Sequence, residues 1–150
     1  MTTSTPQNRS AARLMLIAAE EHVETNPEFA PGGGLTHCNA FAQRVCNKMG
    51  ASIPLVLANA QHAYLLDASP KGAAWERTDA HTAQAMADTG CLAVASWANP
   101  IPDGHGHIAI LVPSLGEEGV WVAAAGAKNF TRTLIQHSFG VIAPDYFVHA

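Results

Sequence analysis

THCNAFA at residues 36–42 and, much later in the chain, GHIAI at residues 106–110 are the two stretches on which the expected fold depends. The first places a cysteine at the start of a predicted helix, and the second places a histidine at the start of a predicted strand. A thiol attacks a carbonyl well only as the thiolate, which requires a positive environment and a base nearby. This pair therefore predicts thiol chemistry, with Cys38 as the nucleophile and His107 as the base.

The helix that carries Cys38 is predicted from its flanks and from its apolar spacing. The loop PGGG at residues 31–34 precedes it, Thr36 is the expected N-cap, and Gly50 is the expected stop. Apolar residues recur between these limits at helical spacing, at Phe41, Ala42, Val45, Cys46 and Met49. Cys38 lies at the N-terminal end of this stripe, where backbone N–H groups and the helix dipole favour a thiolate and could hold an oxyanion.

The strand that carries His107 is predicted at residues 107–112 (HIAILV) and is closed by Pro113. Alternation places His107 and Ala109 on the same face. Because Ala109 is small, a helix can approach that face closely. The simplest packing therefore lays the Cys38 helix across it and brings Cys38 and His107 within reach of each other.

The remaining pattern predicts helices in the first half of the chain and strands in the second. Residues 1–9 are predicted to be a flexible tail, and 10–150 to be a single domain, a size that can bury a sizeable core. Helices are expected at about 10–25, 36–49, 55–66 and 80–89, and strands at about 91–97, 107–112, 120–125 and 133–136 or 141–148. This order indicates an α+β fold with an antiparallel sheet.

Composition excludes several classes of partner. The chain is 48% hydrophobic and 13% charged, which is typical of a globular protein. The net charge is −4 and the eight Lys and Arg residues are scattered, so neither nucleic acid nor an anionic membrane is expected as a partner. The three cysteines form no disulfide framework and leave at least one thiol unpaired; Cys46 and Cys91, set among hydrophobic residues, are expected to be structural.

A cysteine on a helix followed by Gly-His-(Ile/Val)-Ala-hydrophobic on a strand resembles the papain-like cell-wall amidases and peptidases of the NlpC and CHAP type. The resemblance covers roughly residues 35–150. GCLAVASW at 90–97 is similar to the strand before the histidine strand in such enzymes, and the segments at 125–130 and 139–149 resemble peptidoglycan hydrolases of phages and interbacterial amidase effectors. It implies a papain-like fold, with N-terminal helices packed on an antiparallel β-sheet, and cysteine hydrolase activity on an amide bond of peptidoglycan stem peptides without a cofactor.

The resemblance also implies a third polar residue that orients the histidine, usually from the following strand. That strand reads VWVAAA at 120–125 and offers no polar side chain, so Asn129 is the nearest candidate, and a backbone carbonyl is the alternative. No signal peptide is recognisable near Met1. Synthesis in the cytoplasm and delivery to the periplasm or cell wall by a secretion system or by phage lysis are therefore expected, and an injected effector would have a cognate immunity protein as partner.

Two other functions remain open from the sequence. His105 and His107 would share a strand face if the strand began early, which is one way to present two zinc ligands. Further metal-binding side chains are available at Asp103, His137 and His149, but the chain has no HExxH motif. The second alternative is a papain-like binding module without catalysis, because a fold does not by itself imply a function.

Overall fold

A computed structural model describes residues 10–32, 37–68 and 75–149. These residues form five α-helices and a six-stranded antiparallel sheet, so the predicted α+β class is confirmed. The flexible tail predicted for residues 1–9 lies outside the described residues. In the described part of the chain, no helix is both long and apolar enough to cross a bilayer.

The helices lie mainly in the first part of the chain and the strands in the second, with one short helix between the last two strands. The helices are α1 (Ala11–Glu20), α2 (Cys38–Lys48), α3 (Ala58–Ala68), α4 (Ala80–Asp88) and α5 (Ile135–Phe139), and Pro27–Phe29 forms one turn of 3₁₀ helix. The strands are β1 (Trp75–Thr78), β2 (Leu92–Trp97), β3 (His107–Leu111), β4 (Trp121–Ala124), β5 (Phe130–Leu134) and β6 (Asp145–His149).

The strands are arranged in the order β1-β6-β2-β3-β4-β5, and every neighbouring pair is antiparallel. The two central strands, β2 and β3, are buried along almost their whole length. Because successive side chains of a strand point to opposite faces, both faces of the sheet are covered at its centre. His107 is the first residue of β3 and pairs with Trp97, the last residue of β2. It therefore lies at the rim of the buried region.

Helix α2 packs mainly against β3, as the sequence predicted. Its apolar stripe is buried, and its C-terminal end has the predicted glycine stop: Gly50 has φ +79°, and the N–H groups of Gly50 and Ala51 donate to the carbonyls of Asn47 and Cys46. On the other side of α2, Lys48 contacts the buried carboxylate of Glu21 at the end of α1. These contacts end the helix and tie it to the end of α1.

Several predicted boundaries are wrong. Helix α1 ends at Glu20 rather than near residue 25, because His22 adopts a left-handed φ of 51° that no helix can continue. Of the alternative strand predicted at 133–136, only the first two residues lie in a strand, because β5 ends at Leu134 and α5 begins at Ile135. Strand β6 begins only at Asp145, and β1 and α5 were not predicted. The predicted N-cap Thr36 lies outside the described residues.

Candidate active site

A cavity of about 330 Å³ lies between the first turns of α2 and α3 and the loop that precedes β3. Its described lining residues are Cys38, Asn39, Leu57, Ala58, Asn59, Asp103, Gly104, His105 and Gly106. Cys38 and Gly106 therefore line the same cavity, and His107 follows Gly106 directly. The start of α2 and the loop before β3 meet at this cavity, but His107 itself is not among the described residues that line it. Cys38 is only 4% exposed.

Cys38 is the first residue of α2, and His37 before it makes no side-chain capping hydrogen bond. The first hydrogen bond of the helix is donated by the amide of Phe41 to the carbonyl of His37, at 3.1 Å. The amides of Asn39 and Ala40 therefore precede the helical ladder and point out of the helix end. This end of the helix favours negative charge, whether on the thiolate or on an oxyanion next to it.

The His107 ring is packed among side chains of α5 and the turn after β4. Its Nε2 lies 2.7 Å from the Ser138 hydroxyl oxygen, and the Phe139 ring centre lies 4.6 Å from its own. Gly126 approaches so closely that a Cβ there would lie 3.1 Å from the histidine Cε1. Burial lowers the pKa of His107 to about 4. The imidazole is therefore neutral near pH 7, and it is a weaker base than an exposed histidine.

Asn129, the residue expected to orient the histidine, makes other contacts. Its Oδ1 accepts from the amide of Gly126 at 2.9 Å, and its Nδ2 donates to the carbonyls of Val23 and Phe29 at 3.0 and 2.7 Å. The hydrogen-bond partner of His107 is Ser138, on the short helix that the sequence did not predict. Asn129 instead ties the loop after α1 to the turn that packs against the histidine.

Two asparagine side chains hold the loop that leads into β3. Asn59 on α3 donates to the carbonyl of Gly104 and accepts from the amide of Asn99, both at 2.9 Å. Asn99 in turn donates to the carbonyl of His105 at 3.2 Å. A Cβ on Gly106 would lie 2.3 Å from the Asn59 Oδ1, so the glycine permits this close approach. The loop is thus tied to α3 and forms a fixed wall of the cavity.

The two histidines proposed as zinc ligands do not share a strand, because β3 begins at His107 and His105 lies in the preceding loop. Asp103 lines the cavity together with His105. The other two candidates lie elsewhere: His137 Nδ1 is 2.7 Å from the Thr133 hydroxyl, and the His149 ring packs on Trp75. Within residues 10–32, 37–68 and 75–149, no three His, Cys, Asp or Glu side chains are grouped so that they could hold a metal ion.

A second group of polar side chains, which the sequence did not indicate, joins α3 to the sheet. His62 Nδ1 lies 2.8 Å from the Ser96 hydroxyl, and its Nε2 lies 3.4 Å from Asp145, which also pairs with Arg77. The residue types are those of a serine hydrolase, but Ser96 is fully buried and no substrate can reach it. Burial also lowers the pKa of His62. This cluster fastens α3, which bears Asn59, to β2 and β6.

No family model matches the chain, and no curated protein matches it. The function proposed for this protein therefore depends on the residues of the site and on the motifs at Cys38 and His107.

We expect the stability of the protein to fall in mild acid because His107 is buried as a neutral group. Its pKa is about 4 in the folded protein and 6.5 in the unfolded chain, so the unfolded chain binds more protons between these values. The contribution of His107 to the free energy of unfolding is complete above pH 6.5 and is lost as the pH falls toward 4. Between pH 7 and pH 5 the free energy of unfolding falls by about 2 kcal/mol through His107. The pKa of His62 is lowered as well, so His62 adds to this loss.

Urea unfolding at pH 7 and pH 5 measures this loss. His107→Gln should show a much smaller difference between the two pH values than the wild type, because glutamine does not titrate. His62→Gln serves as the matched control for the second buried histidine. The same pH dependence in His107→Gln and in the wild type would contradict the assignment.

Proposed function

We propose that this protein is a cysteine hydrolase that cleaves an amide bond in peptidoglycan stem peptides through a thioester on Cys38, with His107 as the base. One observation carries the proposal: Cys38, at the N-terminal end of α2, lines the same cavity as the loop that ends at His107. The hydrogen bond between His107 Nε2 and the Ser138 hydroxyl, which orients the ring, supports it. The peptidoglycan substrate and the papain-like fold come from the resemblance of the motifs.

In the proposed reaction, His107 takes the proton of the Cys38 thiol, and the sulfur attacks the carbonyl carbon of the substrate. The resulting oxyanion is stabilised by amides of the first turn of α2. The carbon–nitrogen bond then breaks as His107 gives its proton to the leaving amine. Water attacks the thioester, His107 accepts a proton from the water, and the acid product leaves as the thiol is restored.

In the proposed mechanism, Nδ1 of His107 is the ring nitrogen that takes the proton. Because Nε2 lies against the serine hydroxyl, Nδ1 is the nitrogen that remains for the proton of Cys38. A serine hydroxyl can either donate or accept a hydrogen bond. It therefore fixes the orientation of the His107 ring, but it does not determine which ring nitrogen carries the hydrogen. We therefore assign Ser138 as the positioning residue that the family resemblance implies.

Removing the hydroxyl of Ser138 should lower kcat with little effect on folding. We expect Ser138→Ala to reduce kcat roughly fivefold to tenfold, the size of one hydrogen bond that matters in the transition state. Asn129→Ala should instead lower the free energy of unfolding, because three part-buried backbone groups lose their partner. Both quantities are measured for both variants. A larger loss of kcat in Asn129→Ala would return the third role to Asn129.

Digestion of purified peptidoglycan tests the function itself. The wild-type protein is incubated untreated, with a chelator, and after alkylation with iodoacetamide, and the released fragments are weighed by mass spectrometry. We expect fragments that survive the chelator and disappear on alkylation, and their masses identify the bond. Loss with the chelator alone would favour the metal site with His105 and His107. Absence of fragments in every sample would favour the binding module.

Delivery outside the cytoplasm by a secretion system or by phage lysis, and an inhibitor protein that covers the cavity, follow from the same proposal. Both depend on the substrate, since a wall hydrolase must reach the wall and must be harmless to the cell that makes it. They are tested after the bond has been identified.

A further inference from the structure

We propose that a second cavity, beside α5, binds a small neutral molecule that has an apolar body and one hydrogen-bonding group, with Tyr146 as its polar contact. This cavity has a volume of about 300 Å³ and lies between α5, the start of α4 and the start of β6. Neither Cys38 nor His107 is among its described lining residues, so it is separate from the candidate active site.

Tyr146 brings a polar group without a partner to this cavity. The residue is only 9% exposed, and among the described residues its hydroxyl has no hydrogen-bond partner. In the same part of the chain, the one fully enclosed side-chain polar atom without a partner is Gln61 Oε1, so the tyrosine hydroxyl keeps contact with open space. The cavity is the space that Tyr146 lines. Because a buried tyrosine hydroxyl normally has a partner, a ligand in the cavity would supply the missing one.

The lining of the cavity carries no charge. No Asp, Glu, Lys, Arg or His is among its described lining residues. Asp145 precedes Tyr146 but lies on the other face of β6, where it pairs with Arg77 and faces His62. Burial raises the pKa of Tyr146, so its hydroxyl is protonated near pH 7. A charged ligand would lose its hydration here without meeting an opposite charge, and the site therefore favours a neutral one.

The walls and the volume limit the ligand further. Ile135, Ile142 and Pro144 give the cavity apolar walls, which match an apolar body. A volume of about 300 Å³ is at the lower end of the range for ligand pockets, so the ligand is a single ring or a short branched chain. Tyr146 can donate a hydrogen bond to the ligand or accept one from it. A hydroxyl or a carbonyl group would fit this contact.

Helix α5 connects this cavity to His107. Ile135 and Gln136 line the cavity, whereas Ser138 and Phe139 of the same helix contact the histidine ring. A ligand that packs against α5 therefore contacts the element that orients the histidine.

A titration of the ¹⁵N-labelled protein followed by NMR tests the inference. The probes are benzyl alcohol, benzylammonium and benzoate, which share a ring and differ in charge. We expect benzyl alcohol to shift the amide resonances of Ile135, Ile142 and Tyr146 to saturation, with a Kd in the millimolar range that is usual for so small a molecule. We expect the two charged probes to bind at least about fivefold more weakly.

Three variants identify the site. Tyr146→Phe removes only the hydroxyl and should weaken the binding of benzyl alcohol about fivefold, the size of one hydrogen bond. Tyr64→Phe is the matched control, because Tyr64 is the only other tyrosine, is exposed and does not line the cavity; it should bind as the wild type does. Ala143→Leu enlarges a side chain at an exposed part of the wall and should also weaken binding, which tests the cavity independently of Tyr146.

Shifts that do not saturate, charged probes that bind as tightly as benzyl alcohol, or an affinity unchanged in Tyr146→Phe would each overturn the inference. If Tyr146→Phe does not fold, an unchanged affinity in Ala143→Leu would do so. None of these outcomes bears on Cys38, whose role the digestion of peptidoglycan tests separately.

Discussion

Replacing Cys38 by alanine should abolish the release of fragments from peptidoglycan, with a loss of at least about a thousandfold in kcat/KM. The reason is chemical: alanine cannot form the thioester, and no other thiol of the chain lines the cavity. The fold should persist, because the substitution removes one sulfur atom at the end of α2 and leaves the apolar residues of the helix in place. Fragment release and circular dichroism of the two proteins measure both effects.

Cys91→Ala is the matched control for this experiment. Cys91 is a half-buried cysteine between α4 and β2, and it does not line the cavity. We expect this variant to retain full activity and to remain sensitive to iodoacetamide. Fragment release by a folded Cys38→Ala protein at the wild-type rate would reject the proposed mechanism.

The two elements that carry Cys38 and His107 were predictable because their signals are local. The apolar stripe of α2 and the β-branched run of β3 each lie within a dozen residues, and glycine or proline marks their ends. Burial on one face follows directly from such spacing. Their packing against each other was inferred from the small side chain of Ala109, and α2 does pack on β3.

The elements that the sequence did not predict depend on distant partners or are too short for a period to appear. Strand β1 has only four residues, and it exists because it pairs with β6, the last strand. Helix α5 has five residues, so its sequence does not complete an amphipathic pattern. Ser138 lies on this helix. The sequence therefore gives no signal for this partner of His107, whereas Asn129 follows the neighbouring strand and is visible as a candidate.

The hydrogen bonds that hold the loop before β3 were not predictable either, for a different reason. Asn59 and Asn99 act through hydrogen bonds to backbone groups, and such bonds leave no spacing rule in a sequence. The signal that was available is the pair of glycines around His105. Gly104 and Gly106 indicate a loop, and each is also a point of close approach to one of the two asparagines.

Replacing His107 by glutamine should lower kcat/KM by about a hundredfold to ten-thousandfold, the range attributed to general acid–base catalysis. Glutamine is polar and of similar length, so it can keep contact with the Ser138 hydroxyl, but it cannot take the proton of Cys38. The rate of alkylation of Cys38 by iodoacetamide should fall as well, because only the thiolate reacts. Alkylation of Cys91, followed by mass spectrometry in the same sample, provides the internal reference.

His107→Gln also distinguishes loss of catalysis from loss of structure. The substitution removes the base that activity requires, but it also removes the group whose protonation lowers the free energy of unfolding in mild acid. A buried neutral histidine costs the folded protein stability as the pH falls, since the unfolded chain takes up the proton more readily. His107→Gln should therefore be inactive at pH 7 and yet lose less stability than the wild type between pH 7 and pH 5. An inactive variant that unfolds earlier than the wild type at pH 5 would indicate that His107 is needed for packing, and an active variant would exclude it as the base.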